Sequence, residues 1–254
     1  MTVPPTELVR HIDFEGARNF RDLGGYESRL GGTTSWGRVF RAASLAGMTT
    51  GDLERLAALE VAAVVDLRNV DERRLAPDPV ESLHIPVMAA LMALREPPDF
   101  SSLVERDHGV AFMRDLYVGL LDHAAAEFGQ VIEVIAAAAG RPVVFHCTAG
   151  KDRTGLVAAL LLEVLGVDRD TVLDDFTLTE QLLGSAHDSD SVRRMIEHGM
   201  APEAAAGAFG APRTMMAGVL DVLDTRYGGA ERYLTDRSGV APDVFDGLRS
   251  QLLT

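Results

Sequence analysis

The most constraining feature of the sequence is a strand–loop–helix segment around Cys147. An apolar, β-branched run at 142–145 leads into His146 and Cys147, and a helical pattern follows at about 154–165. A loop between a strand and a helix N-terminus directs successive backbone N–H groups toward one point, at the positive end of the helix dipole. Such a concavity binds a phosphate dianion, and the same field stabilises a thiolate. The pattern therefore predicts one loop, residues 147–153, that holds both an anion and a nucleophile; we call it the Cys147 loop.

Several side chains of the Cys147 loop are of the types that phosphoester cleavage needs. Cys147, the only cysteine of the chain, supplies a sulfur nucleophile. Arg153, six positions later, carries a planar fork that binds two phosphoryl oxygens at once, a geometry that lysine lacks. The hydroxyl of Thr154 can donate to the thiolate. The predicted phosphate-binding residues are Thr148, Ala149, Gly150, Lys151, Asp152, Arg153 and Thr154.

Two other kinds of site are excluded by the residues themselves. In a nucleotide-binding loop, Ser or Thr follows the Gly-Lys pair, but here Asp152 follows Lys151, and the upstream glycine is missing. A cysteine-based zinc site needs several thiolates, and this chain has one cysteine. The sequence therefore predicts a site that uses neither a metal ion nor a cofactor.

The Cys147 loop resembles the signature H-C-x5-R-[ST] of the cysteine-dependent protein tyrosine phosphatases. More narrowly, residues 146–155 are similar to the H-C-x-A-G-K-D-R-T-G loops of the bacterial PtpB-like group, tyrosine phosphatase family 3. Three further segments resemble motifs of that group in matching order: N-F-R-D-L-G-G-Y at 19–26, R-V-F-R-A-A at 38–43 and V-D-L-R at 65–68.

This resemblance implies a protein tyrosine phosphatase-like α/β fold, with a central, mostly parallel sheet flanked by helices. At about 185–226 we expect either a helical lid, as in the PtpB-like group, or an ordinary helical extension packed on the domain. The resemblance also implies hydrolysis of phosphomonoesters through a cysteinyl-phosphate intermediate. Phosphotyrosine proteins are the implied substrates, with phosphoserine, phosphothreonine and phosphoinositides as further ones. Lys151, which we place at the mouth of the site, would favour such polyanionic substrates.

Two aspartates compete for the role of the general acid that protonates the leaving oxygen. Asp66 ends a buried apolar strand, and with Leu67 and Arg68 it resembles the D-L-R segment to which the family's acid is assigned. Asn69 stands here where the family has Ser or Thr. Asp152 lies inside the Cys147 loop, in a K-D-R form that resembles some lipid phosphatases. We favour Asp66 and keep Asp152 as the alternative.

Two other classes of function remain as alternatives. One is a pseudophosphatase, which would bind phosphoproteins without turning them over; the intact set of Cys147, Arg153 and an aspartate speaks against it. The other is a rhodanese or arsenate-type cysteine enzyme. Rhodanese chemistry does not call for an arginine six residues after the cysteine, and arsenate reductases need further cysteines that this chain lacks.

Length and charge narrow the class of protein. The 254 residues suit one large domain, 1–254, and the formal net charge of −14 argues against nucleic-acid partners and a polybasic membrane anchor. The sequence has no run of about 18 apolar residues and no basic-then-apolar leader. We therefore predict a cytoplasmic protein without a membrane span, with export by a signal-less route left open.

Strand and helix patterns alternate along the chain, which predicts a sheet covered by helices. In such sheets the carboxyl ends of the strands carry the ligand site, and both Asp66 and Cys147 fall there. A mobile flap or a loop is expected at 88–100. Strands are predicted at 61–65, 83–87 and 143–146, and helices at 50–59, 108–139 with a division at Gly129, 154–165, 168–182 and 213–226.

Overall fold

The computed structural model describes residues 10–89, 100–184 and 190–254. In these ranges the strands are β1 (Arg21–Asp22), β2 (Val39–Ala42), β3 (Ala63–Asp66), β4 (Leu83–His84) and β5 (Val143–His146). The α-helices are α1 (Thr50–Ala58), α2 (Val70–Leu75), α3 (Arg106–His123), α4 (Ala125–Ala137), α5 (Asp152–Val164), α6 (Arg169–Leu183), α7 (Asp190–Glu197), α8 (Pro202–Phe209), α9 (Arg213–Tyr227), α10 (Ala230–Asp236) and α11 (Pro242–Leu252).

The five strands form one mostly parallel sheet in the order β1-β2-β5-β3-β4, in which only β1 runs antiparallel to its neighbour. The register aligns the carboxyl ends of the three central strands, because His146 pairs with Ala42 on one side and with Asp66 on the other. The chain therefore leaves β5 at the centre of this edge, where the Cys147 loop lies between two neighbouring strand ends. This architecture confirms the predicted α/β class.

Helices cover the sheet on both faces, as expected for strands that are apolar throughout. In β5, Val143 and Phe145 pack into the larger core with helices α3–α6 and α9–α11. Val144 points to the other face, where Phe40 and Leu56 belong to a smaller core formed with α1 and the N-terminal segment. β5 is therefore packed on both faces, and this packing fixes the position at which the Cys147 loop begins.

The predicted division of the 108–139 helical region at Gly129 is wrong. The chain breaks at Ala124, between α3 and α4, and Gly129 lies buried inside α4. A Cβ atom at Gly129 would come within 2.7 Å of the Cβ of Ser238. The glycine is thus needed for close packing between α4 and the segment before α11, and it does not end a helix.

The predicted flap at 88–100 and the predicted lid at 185–226 are only partly described. Residues 90–99 and 185–189 lie outside the described ranges. Helix α8 packs with Met200 and Val192 in a small separate cluster that also contains Leu103 and Met113. Helix α9, by contrast, contributes to the main core, so it forms part of the domain body.

Each helix of the described ranges is too short or too polar to cross a lipid bilayer.

Candidate active site

The Cys147 loop connects the end of β5 to the start of α5 and turns tightly beneath the neighbouring strand β2. Gly150 has a φ of 65°, in the region that favours glycine. A Cβ atom there would lie 2.4 Å from the carbonyl oxygen of Ala42. Both the backbone conformation and the lack of space therefore require glycine at this position.

Two side chains from the N-terminal part of the chain hold the carbonyl groups of this loop. Asn19 Nδ2 donates to the carbonyl oxygens of Ala149 and Gly150, both at 3.0 Å, and Arg41 Nη2 donates to the Gly150 oxygen at 2.8 Å. In a planar trans peptide the N–H group points opposite to the carbonyl. The N–H groups of Gly150 and Lys151 therefore face away from Asn19 and Arg41.

A buried carboxylate on α6 fixes both of these side chains. Asp175 Oδ1 accepts from Arg21 Nε at 3.0 Å, and Asp175 Oδ2 accepts from Arg41 Nη1 at 2.5 Å. Arg21 in turn donates to the side-chain oxygen of Asn19. Tyr26 also donates to Asp175, at 2.9 Å. Burial alone would raise the pKa of Asp175, but the two guanidinium groups outweigh it and hold this pKa well below its usual range.

Cys147 and Arg153 lie at opposite ends of the loop and interact electrostatically. Cys147 directly follows β5 and is almost fully buried, with 1% of its surface exposed. Burial lowers the pKa of Arg153, but the negative charges of Cys147 and Glu72 more than offset burial and raise it. Arg153 therefore stays charged.

The carboxylate of Glu72, on α2, pairs with the Arg153 fork. Glu72 Oε2 accepts from Arg153 Nη1 at 2.6 Å and Glu72 Oε1 accepts from Nη2 at 2.8 Å. Glu72 Oε1 also accepts the hydroxyl of Thr148 at 2.5 Å. Sequence reasoning missed this residue. The acid three positions after Asn69 at a helix start was the available signal, since it marks an N-terminal capping pattern.

Asp66, the favoured candidate for the general acid, is fully buried at the end of β3. Arg68 donates three hydrogen bonds to the Asp66 carboxylate. Its Nε donates to Oδ1 and its Nη2 to Oδ2, both at 2.8 Å, and its backbone N–H donates to Oδ1 at 3.0 Å. Burial raises the pKa of Asp66, but the bonds from Arg68 dominate and lower it. The carboxylate is thus held ionised and enclosed, which does not favour the acid role.

Asp152, the alternative candidate, is the first residue of α5 and remains partly exposed. Its Oδ1 accepts from Tyr117 Oη at 2.5 Å and from Lys151 Nζ at 2.6 Å. Burial raises the pKa of Asp152, but the charge of Lys151 outweighs burial and lowers it. Burial raises the pKa of Tyr117 well above its ordinary value, and the charge of Asp152 raises it further.

Lys151 does not lie at the mouth of the site, where the sequence predicted it. Only 2% of its surface is exposed, and besides Asp152 its ammonium group donates to the carbonyl oxygen of Ala208 on α8, at 3.1 Å. The cause is α8 itself, which covers this side of the Cys147 loop. A cavity of about 270 Å³ adjoins the lysine, and its lining includes Arg106, Thr179, Glu180 and Phe209.

Thr154 lies in the first turn of α5 and is fully buried. Its hydroxyl has no hydrogen-bond partner within the three described ranges. The predicted hydrogen bond to the sulfur of Cys147 is therefore not formed in this structure.

The sequence profile of the tyrosine phosphatase family matches residues 12–254. The chain belongs to the tyrosine phosphatase family. It is therefore a phosphoric monoester hydrolase, as the resemblance of its motifs predicted. The match spans almost the whole chain, including the N-terminal residues that hold the Cys147 loop.

Individual relatives agree with this assignment. A tyrosine-protein phosphatase of Nostoc commune is 34% identical over 224 residues, which cover 84% of this chain and 73% of the relative. The triple specificity protein phosphatase PtpB of Mycobacterium tuberculosis is 29% identical over 276 residues, 95% of this chain and 98% of the relative.

Among solved structures, TpbA of P. aeruginosa is 22% identical and aligns over 73% of this chain and 86% of its own, with a TM-score of 0.28. TpbA in complex with pTyr is 19% identical over 82% of this chain and 96% of its own, with a TM-score of 0.29.

In the described part of this phosphatase, one group of side chains has the spacing of metal ligands. The ligand atoms of Asp66, Asp78 and His146 all lie within 4.8 Å of one another. The guanidinium group of Arg68 already lies between the two carboxylates, at 2.8 Å from Asp66 and 2.7 Å from Asp78. Its positive charge supplies what a cation would, so we interpret the group as an ion-pair network that supports the end of β3.

Proposed function

We propose that this phosphatase cleaves phosphomonoesters with Cys147 as the nucleophile. The observation that carries the proposal is the set of hydrogen bonds that fixes the backbone of the Cys147 loop. Asn19 and Arg41 bind its carbonyl oxygens on one side, which turns the N–H groups of Gly150 and Lys151 toward the other. Together with the guanidinium of Arg153, whose Nη1 and Nη2 pair with Glu72 when no substrate is bound, these groups form a preorganised set of donors for phosphoryl oxygens.

The reaction proceeds in two displacements. In the first, the thiolate of Cys147 attacks phosphorus, the S–P bond forms, the P–O bond breaks, and the leaving oxygen takes a proton from a carboxylic acid. In the second, water attacks phosphorus, the same carboxylate takes the proton of the water, and the S–P bond breaks to release phosphate and thiolate. The chain itself supplies the nucleophile, the acid and base, and the oxyanion donors for both steps, so we propose a reaction that is independent of a metal ion or cofactor.

We assign the acid and base role to Asp152. Its carboxylate is partly exposed at the start of α5 and belongs to the same loop as Cys147, whereas Asp66 is enclosed by Arg68. Without substrate, Lys151 holds Asp152 ionised. A bound phosphate dianion beside the thiolate adds negative charge, which raises the proton affinity of a neighbouring carboxylate. Substrate binding therefore favours the protonated form that the first step needs.

Phosphotyrosine proteins are the proposed substrates. Membership of the tyrosine phosphatase family supports this choice, and the relative named a triple specificity phosphatase supports tests on phosphoserine, phosphothreonine and phosphoinositides. The charge argument for polyanionic substrates loses its basis, because Lys151 is buried against α8. We further propose one domain, with α7 and α8 as its lid, and a cytoplasmic location, where a reducing environment preserves a reactive thiol.

The test compares Cys147→Ser and Arg153→Lys with wild type on phosphotyrosine peptides and an aryl phosphate. We expect Cys147→Ser to abolish turnover but to retain phosphate binding. Arg153→Lys keeps the charge and loses the bidentate geometry, so kcat should fall by about 10²–10³-fold. Arg213→Lys is the matched control, since Arg213 forms surface ion pairs with Asp170 and Asp174 on the exposed sides of α6 and α9.

Other results point to other functions. Turnover that survives Cys147→Ser contradicts the nucleophile. Phosphopeptide binding by wild type without any turnover identifies a pseudophosphatase, and sulfur transfer from thiosulfate identifies a rhodanese. Full activity of Arg153→Lys contradicts the role of the fork.

A further inference from the structure

Tyr117 connects helix α3 to the start of α5 through its hydroxyl group. The ring is fully buried in the larger core, where it meets the ring of Phe176 edge-on at a centroid distance of 6.3 Å. The hydroxyl donates to Asp152 Oδ1 at 2.5 Å. A buried hydroxyl needs a partner, but a backbone carbonyl suffices, as Leu121 shows by accepting from the buried Tyr233 at 2.9 Å. Tyr117 instead binds the carboxylate to which we assign the acid and base role.

The hydroxyl of Tyr117 and the ammonium group of Lys151 bind the same oxygen of this carboxylate. Lys151 Nζ lies 2.6 Å from Asp152 Oδ1, and it also donates to the carbonyl oxygen of Ala208 at 3.1 Å. Within the described ranges, Oδ2 accepts no hydrogen bond. The two donors on Oδ1 therefore fix the rotation of the carboxyl group and leave Oδ2 as the oxygen that can carry the proton.

The phenol keeps its proton and therefore acts as the donor in this pair. Burial, followed by the charge of Asp152, raises the pKa of Tyr117 well above its ordinary value. Burial also raises the pKa of Asp152, but the charge and hydrogen bond of Lys151, followed by the hydrogen bond of Tyr117, outweigh it and lower this pKa. A donor to the ionised form of a carboxylic acid strengthens that acid. The ammonium group and the phenol thus change the acidity of this carboxyl group in the same direction.

The pair also interacts with charged or titratable side chains of the Cys147 loop and of β2. The guanidinium group of Arg153, the next residue on α5, contributes to the lowered pKa of Asp152. Cys147 and Arg41 act on the pKa of Tyr117 in opposite directions, since the first raises it and the second lowers it. Tyr117 itself is neutral, so its hydroxyl can be removed without changing the charge of the site.

We propose that Tyr117 is a positioning residue of the reaction: its hydroxyl holds Oδ1 of Asp152 so that Oδ2 faces the leaving oxygen, and it sets the pH above which the acid no longer donates. In the first step Oδ2 gives its proton to the leaving oxygen, and in the second step Oδ2 takes a proton from water. The O–H bond of Tyr117 stays intact throughout. The inference rests on the proposed function, with Asp152 as the acid and base.

The test is Tyr117→Phe, with Tyr233→Phe as its matched control. Each variant removes one buried hydroxyl from the same core and keeps the ring, but the hydroxyl of Tyr233 binds a backbone carbonyl. The measurement is kcat against pH on the full chain, for an alkyl phosphate and for an aryl phosphate with a good leaving group. Without its donor the ionised form of Asp152 is less stable, so the alkaline limb of kcat should move to higher pH by about one unit.

The loss of rate should depend on the leaving group. At pH values below the alkaline limb, Tyr117→Phe should lower kcat roughly tenfold for the alkyl phosphate, because Lys151 alone then holds the carboxyl group, and by less than about twofold for the aryl phosphate. Tyr233→Phe should keep the wild-type limb and both kcat values within about twofold. Thermal unfolding compares the stability of the two variants. A lower melting temperature for Tyr117→Phe with the wild-type limb identifies a purely structural role and overturns the proposal.

A second variant changes the strength of the same hydrogen bond without removing it. The amino acid 3-fluorotyrosine at position 117 keeps the buried ring and donates from a more acidic phenol, so the alkaline limb should move to lower pH. The proposal requires shifts of opposite sign for this variant and for Tyr117→Phe. Any other pair of shifts overturns it.

The variant Asp152→Asn separates the inference from the proposed function. In its background Tyr117→Phe should not lower either kcat further, because the acid through which Tyr117 acts is gone. A further loss there means that Tyr117 acts through another group, and the inference is then wrong. If Asp152→Asn alone slows the alkyl and the aryl phosphate equally, the assignment of the acid fails, and with it the proposed function on which the inference rests.

Discussion

At the scale of single residues, the neighbours of a carboxyl group decide its chemistry. Asp66 and Asp152 are both held ionised by an adjacent cation, Arg68 in one case and Lys151 in the other. The two carboxylates differ in their exposure and in how many of their oxygens accept hydrogen bonds. Arg68 donates to both oxygens of the buried Asp66, whereas the bonds to Asp152 converge on one oxygen of a partly exposed side chain. Among the residues that the structure describes, the other oxygen of Asp152 has no hydrogen-bond partner, so it can exchange a proton.

We predict that Asp152→Asn and Asp66→Asn respond differently to the leaving group. Loss of a general acid slows the reaction by about 10²–10⁴-fold when the leaving oxygen is basic, and far less when it is already a good leaving group. The measurement is kcat/KM over a series of aryl and alkyl phosphates. Asp152→Asn should steepen the dependence on leaving-group pKa.

Asp66→Asn should instead lower kcat/KM by a similar factor across the series, because it weakens the support of Arg68 and of the end of β3. The opposite pattern, with a steeper dependence for Asp66→Asn alone, would return the acid role to Asp66. Equal steepening in both variants would mean that neither carboxyl acts alone.

How much of the site the sequence predicts depends on distance along the chain. Cys147, Gly150 and Arg153 lie within seven residues, so their joint role follows from one local motif. Glu72 meets Arg153 across 81 positions, and Asp175 meets Arg41 across 134. Such pairs arise only when α2 and α6 pack beside the sheet, and no local pattern encodes that packing.

At the scale of elements, a glycine within a helical pattern can indicate two different structural features, and the sequence alone did not distinguish them. Inside a helical pattern it signals either a break or a close approach by another segment. Gly129 has the second meaning, because Ser238 and Val240 press against it, whereas the break lies at Ala124. Strand and helix types were predicted well, since they follow from apolar periodicity, but packing between elements decides where a helix can continue.

We predict opposite stability changes for two helical glycines. Gly129→Ala forces a Cβ atom into Ser238 at 2.7 Å, an overpacking that costs about 1–3 kcal/mol and that the better helix propensity of alanine offsets only in part. Gly247 on α11 is the matched control: a Cβ atom there would have only Gln251 nearby, at 3.9 Å. Gly247→Ala should stabilise the protein by about 0.5–1 kcal/mol.

Urea unfolding measures both changes as shifts of the midpoint in opposite directions. A midpoint for Gly129→Ala at or above that of wild type would mean that α4 moves freely relative to Ser238. The packing explanation for this glycine would then be wrong.

At the scale of the whole molecule, Asp175 joins parts of the chain that are far apart in sequence. Through Arg21 and Arg41 it connects α6 to β1 and β2, and through Asn19 it reaches the Cys147 loop. The folded protein therefore carries two buried guanidinium groups that share one carboxylate as an ion-pair partner. The side chain of Asp175 therefore contributes both to the stability of the fold and to the shape of the anion site.

We predict that Asp175→Asn destabilises the protein by about 3–5 kcal/mol at pH 7, because it leaves two buried cations without their partner. Folding depresses the pKa of Asp175, so its stabilising contribution is complete above the unfolded value of about 3.9 and is lost as the pH falls below it. The difference between wild type and variant should therefore shrink from about pH 4 downward. Unfolding curves at pH 7, 5 and 3 measure this difference.

Asp174→Asn, at the neighbouring surface residue, is the control and should change stability by less than about 1 kcal/mol at neutral pH. A pH-independent difference for Asp175→Asn would show that the carboxylate acts by shape and hydrogen bonding, without its charge.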